Sequence, residues 1–152
     1  MVFTRHYRVY LYLELMNDSW TKPIIENWKS LGIKLNSGST INAIAEVEHR
    51  IGIQFPDDFK ELYTQVNGFS DYDWTPTMFS LWPLDRIIEE YDQQKDPQFV
   101  GFCDYLICSH TIGFVKNKSG IFKEYENRKP KLIAQSFSEV THLINIDADI
   151  IY

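Results

Sequence analysis

Four residues with metal-ligating side chains fall close together in this chain: Cys103, Asp104, Cys108 and His110. Thiolates and imidazoles at short spacing are what a zinc site uses. No C-x-x-C pair accompanies them, however, and they lie in apolar segments that read as strands. Strand alternation sends neighbouring side chains to opposite faces and scatters the four. If one regular strand carries both cysteines, they point apart, and no bridge between them is expected. They read as small core residues, no metal or other cofactor is expected, and two free thiols suit a reducing, cytoplasmic setting. Asp147-x-Asp149 is too poor in oxygen ligands to hold a divalent ion and reads as a solvated tail.

Catalysis finds as little support. The sequence has no G-x-S-x-G elbow, no Walker-type loop and no dinucleotide-binding glycine pattern. His49, His110 and His142 have no carboxylate placed to orient them. The expectation is a protein that is not an enzyme.

Acids and aromatics remain. The net charge is −6, with ten Phe, nine Tyr and four Trp, more aromatic surface than a core of this size consumes. The charge argues against nucleic acid, which needs a basic face to neutralise phosphates, and favours a basic protein partner. Asp71, Tyr72, Asp73 and Trp74 form an acidic-aromatic loop. Asp57 and Asp58 stand at a helix start, and Glu89, Glu90 and Asp92 on an outward helix face. Aromatics ringed by charge are a hot-spot composition, and these nine residues are the candidate partner-binding set.

Several elements must position them. Residues 2–15 alternate loosely, as a strand or as an extension before a start at Met16. They contain no run apolar enough for a signal peptide, and nothing in the chain is long enough to span a membrane. A helix is expected from Trp20 to Leu31, followed by a loop over LNSGS. A second helix is capped by Thr40, with Ile41, Ile44, Ala45, Val47 and Ile51 inward and Glu46, Glu48 and Arg50 outward. Pro56 opens a third, with Phe59, Leu62, Tyr63 and Val66 on one stripe and Asn67-Gly68 as its stop. A short strand over Met78–Trp82 precedes a helix over Leu84–Gln93.

Strands then follow at Phe99–Phe102, Tyr105–Ser109, Ile112–Lys116, Ile121–Tyr125 and Lys131–Gln135, with a hairpin turn at Asn117–Gly120. Ser136 and Glu139 form a capping box for a last helix, from Phe137 to about Asn145, and DADIIY trails from it. With no repeat or linker, this is an α+β arrangement.

The run from Ile44 to Phe69 (IAEVEHRIGIQFPDDFKELYTQVNGF) resembles the signature of the SUKH superfamily. Phe79–Ile88 (FSLWPLDRII) and Ile133–Val140 (IAQSFSEV) are similar to its next elements, in the right order, so that the resemblance runs from about Trp20 to Tyr152. It implies N-terminal helices packed on a bent, mainly antiparallel sheet with a closing C-terminal helix, one domain over 16–152. Members include bacterial immunity proteins that neutralise polymorphic toxins and fungal regulators of cell-wall synthesis that act as interaction hubs. No catalytic set carries over. Pro56, Asn67, Gly68, Trp82, Pro83 and Ser136 match as architectural residues. The resemblance therefore implies a cytoplasmic immunity protein with a cognate toxin, of nuclease type, as its partner. The alternative is an interaction module of a regulatory or cell-wall pathway.

Overall fold

The computed structural model describes residues 19–125 and 128–152. The reading of residues 2–15 as strand or extension lies outside the described residues. The elements in order are α1 (Thr21–Ser30), β1 (Leu35–Ser37), α2 (Ile41–Ile51), α3 (Asp57–Tyr63), β2 (Val66–Phe69), β3 (Phe79–Leu81), α4 (Leu84–Gln93), β4 (Phe99–Tyr105), β5 (His110–Val115), β6 (Ile121–Glu124), β7 (Lys131–Ala134) and α5 (Phe137–Asn145), with a final 3₁₀ turn at Asp149–Ile151. The strands make two antiparallel sheets, β1–β2 and β3–β4–β5–β6–β7 in sequence order. This is a mixed α+β fold closed by a C-terminal helix. Irregular register between Gly101 and Cys103, and again between Ile121 and Phe122, marks the places where a sheet bends.

Caps and stripes set the helices. Thr40 Oγ1 accepts the Ala43 N–H at 3.0 Å, and Ile44, Val47 and Ile51 face inward. Ile41 and Ala45 do not; both are exposed on the first turns of α2. Ser136 Oγ accepts the Glu139 N–H at 3.1 Å, while Glu139 reaches back to the N–H of Gln135 at 2.8 Å.

The core is aromatic at its centre. Phe55, Phe59 and Tyr63 stack in file, with centroids 4.2 and 4.0 Å apart. Phe137 and Phe114 meet Phe59 edge-on at 5.1 and 5.7 Å, the geometry a ring quadrupole favours. All five rings are buried, which ties α3 to the large sheet and to α5.

The structure corrects further expectations. The third helix stops at Tyr63, and Val66–Phe69 is a strand paired with Leu35–Ser37, in the segment read as a loop. Asn67-Gly68 is therefore no helix stop. Gly68 has φ +65, and a Cβ there would lie 2.4 Å from the Pro83 nitrogen, so the left-handed residue serves a close approach of two backbones. Residues 106–109 form a tight turn and not a strand; β4 runs on to Tyr105 and β5 starts at His110. Glu48 is not a solvated acid: it accepts the Phe55 N–H at 2.7 Å and pairs with Lys60 at 3.4 Å, holding the segment between α2 and α3.

The C-terminal residues also depart from the expected loose tail. Ile151 is fully buried, and the Tyr152 ring packs edge-on against Phe79 and Tyr105 at 5.5 and 5.2 Å. The Lys123 ammonium donates to the backbone oxygens of Ile150 and Tyr152, and the His110 Nε2 lies 2.8 Å from the carbonyl of Ile151.

Candidate partner-binding surface

The segment between β2 and β3 is fastened at both ends. The Ser70 N–H donates to the Lys34 carbonyl at 2.8 Å, and Asp73 Oδ2 accepts the Lys34 N–H at 2.7 Å. Ser80 Oγ donates to the Asp73 carbonyl at 2.7 Å, and Thr75 exchanges two bonds with Phe79, at 2.8 and 3.1 Å. Between these ties Asp71 and Tyr72 are both left-handed, at φ 54 and 59. That backbone turns Asp73 into the fold and Tyr72 outward: the Tyr72 side chain is 69% exposed and that of Trp74 42%.

Beneath Tyr72 lies Arg86. Its guanidinium is 4.9 Å from the Tyr72 ring and 4.7 Å from that of Trp82, a cation held between two π faces. Asp104 takes up its charge at 3.3 Å, and Glu90 sits at 3.5 Å. Asp104 is itself buried, accepting the indole N–H of Trp82 and, at 2.9 Å, the backbone N–H of Cys108. One cation therefore supports the exposed loop, and one carboxylate fixes that cation to the sheet.

Asp71, Tyr72 and Glu89 line a single cleft of about 390 Å³ together with Asp85 and Arg86. Asp57 and Asp58 lie elsewhere, in an open groove between the start of α3 and the β5–β6 turn, across from Lys116 and Lys118. Asp58 is engaged within the fold: its Oδ2 accepts the Ser138 N–H at 2.8 Å, in the first turn of α5. Asp92 pairs with Arg50 at 2.6 Å. Of the nine candidates, Asp71, Tyr72 and Glu89 share the cleft, Asp57 and Asp58 lie in the groove and Asp92 is tied to α2; of these only the group around Tyr72 combines an exposed aromatic with exposed acids. Asp85 and Arg86 stand outside the nine candidates. The available signal was a single arginine among the acids of α4.

The Cys103–His110 segment is occupied by the fold. Cys103 is buried, with its thiol pushed well up by burial and then by the Asp104 charge. Cys108 is exposed, with its thiol also raised, first by desolvation and then by Asp104. His110 is buried and its pKa is lowered, chiefly by desolvation. Among the described residues no group of three or more His, Cys, Asp or Glu side chains is placed to hold a metal ion. No described helix is long and apolar enough to cross a membrane.

Helices on two antiparallel sheets, joined by Asn-Gly and Trp-Pro motifs that meet in space, define a mixed α+β fold. The sequence pattern of the SMI1 / KNR4 family (SUKH-1) matches residues 38–141, and the chain belongs to that family. The match begins after β1 and ends within α5, a narrower span than the resemblance from Trp20 to Tyr152. No curated protein matches the chain.

Proposed function

We propose that the chain is a non-catalytic immunity protein that binds a cognate polymorphic toxin of nuclease type in the cytoplasm and blocks it. The observation that carries this is the Tyr72 cleft, where an exposed aromatic on a fastened loop is flanked by Asp71, Asp85 and Glu89. The Arg86 charge beneath it is offset by Asp104 and Glu90, which leaves the rim acidic. Nuclease grooves are basic because they hold phosphates, and an acidic inhibitor with an aromatic anchor complements them. Family membership supports the same reading, since SUKH proteins include immunity proteins. In this reading residues 16–152 act as one domain.

The test is genetic and then physical. A toxin-domain gene should lie beside this one, and co-expression of the two should rescue growth. Binding of the pair should weaken by about 10-fold or more between 50 and 200 mM salt, since steering between opposite charges is screened over such a range. An isolated gene whose product rescues no toxin would favour the interaction-module reading instead. Affinity indifferent to salt and to replacement of Asp71 or Trp74 would overturn the electrostatic account.

A further inference from the structure

The β4–β5 hairpin carries a second unusual backbone feature. Leu106, Ile107 and Cys108 are all left-handed, at φ 47, 52 and 64. Tight hairpins satisfy that geometry with Asn or Gly, which occupy it at little cost. A β-branched residue such as Ile107 is disfavoured there, because its Cβ substituents crowd the backbone. This turn nevertheless uses three apolar residues and shows them to solvent: Leu106 is 44% exposed and Ile107 73%.

The turn is joined to the acidic-aromatic loop. The Leu106 N–H donates to the Met78 carbonyl at 2.9 Å, and Met78 is left-handed as well. On the other side, Arg86 Nη2 reaches Cys108 Sγ at 3.8 Å while the same guanidinium lies under Tyr72. Glu90, one turn on in α4, pairs with that same guanidinium at 3.5 Å. The Tyr72 loop and the Leu106–Cys108 turn are thus held by common partners, and Asp71, Asp85 and Glu89 line the cleft beside Tyr72.

We infer that the Leu106–Cys108 turn is a second contact element of the partner-binding surface, supplying its apolar centre while the Tyr72 loop and α4 supply the acidic rim. This rests on the immunity reading above. The partner it fits is a basic protein surface, the toxin domain, with an apolar recess framed by lysines or arginines. Charge complementarity selects that occupant: a second copy of this chain would bring acids against acids. An apolar anchor inside a polar rim is the usual anatomy of a tight interface.

The experiment titrates the full chain against the toxin domain encoded beside its gene, inactivated at a catalytic residue. Ile107→Gly deletes the anchor and relieves the left-handed residue, so the variant should melt no lower than the wild type. Its affinity for the toxin domain should fall by about 30-fold, as for loss of a hot-spot side chain. Leu106→Ala should fall in the same direction. Leu132→Ala, on the far edge strand β7, should bind like the wild type. Wild-type affinity in both Ile107→Gly and Leu106→Ala overturns the inference and leaves the immunity reading standing. Absence of binding by the wild-type chain overturns the immunity reading and this inference with it.

Discussion

The side-chain oxygen of Asn67 accepts the backbone N–H of Leu84 at 2.8 Å, so a residue of β2 caps the helix that follows β3. Pro83, at the N-cap of α4, has no side chain able to do so. Tyr63 completes the junction by donating its hydroxyl to the Trp82 carbonyl at 2.6 Å. The Asn-Gly and Trp-Pro motifs are therefore two halves of one joint. Asn67→Ala should cost about 1 kcal/mol, the usual loss for a removed cap. Gly68→Ala should cost more: roughly 1–3 kcal/mol for the left-handed backbone alone, with the clash against Pro83 added. Urea unfolding of the two variants measures both. Equal, negligible losses would mean that the joint does not hold the fold.

The same joint shows what the sequence discloses and what it withholds. Thr40 and Ser136 cap helices that begin where their spacing predicts, because a cap acts on the N–H groups of its own first turn. Asn67-Gly68 carries the local signature of a helix end, yet the left-handed glycine serves an approach to Pro83, a partner remote in sequence. Leu106-Ile107-Cys108 has strand-forming residues in a turn held by a bond to Met78, remote in sequence, together with local bonds from Asp104 and Ser109. The candidate surface was legible at Asp71–Trp74, where composition marks it. Its support by Arg86 and its apolar neighbour at Ile107 depend on three-dimensional placement.

The buried Asp104–Arg86 pair should be a weak point for single replacements. Asp104→Asn leaves the guanidinium half-compensated among the Tyr72 and Trp82 rings. Removing one partner of a buried pair costs about 3 kcal/mol. The damage should also be local. Amides of Leu106–His110 should exchange faster, since the Cys108 N–H loses a charged acceptor. An unchanged denaturation midpoint together with unchanged exchange in the turn would contradict the assignment.

Asp57 and Asp58 are adjacent at the start of α3 and should behave differently. Asp58 bonds the Ser138 N–H at 2.8 Å and so joins the starts of α3 and α5. Asp57 is exposed and has no comparable bond among the described residues. Asp58→Ala should cost about 1 kcal/mol, on the scale of a lost cap. Asp57→Ala should stay within about 0.5 kcal/mol, as most exposed replacements do. Thermal melts of the two variants side by side check the difference; equal melting temperatures would refute it.

His110 should give the fold a pH dependence of known sign. Its ring lies among Phe79, Tyr105 and Tyr125, with Nε2 on the Ile151 carbonyl and Lys123 on the neighbouring strand. Burial lowers its pKa; the Ile151 carbonyl opposes that shift, Lys123 adds to it, and Asp104 partly offsets it. The folded state thus prefers the neutral ring. Its contribution is fully present above the unfolded value, near about 6.5, and is lost as pH falls through the lower folded value. His110→Gln keeps a donor for the Ile151 carbonyl but cannot take up a proton. Between pH 7.5 and pH 5 the wild type should lose more stability than this variant, with the gap read from urea midpoints at each pH. Tyr152 reports the same event from the other side, since its ring rests on the Phe79–Tyr105 pair that His110 flanks. Parallel pH slopes for the two proteins would show that the C-terminal turn does not depend on a neutral His110.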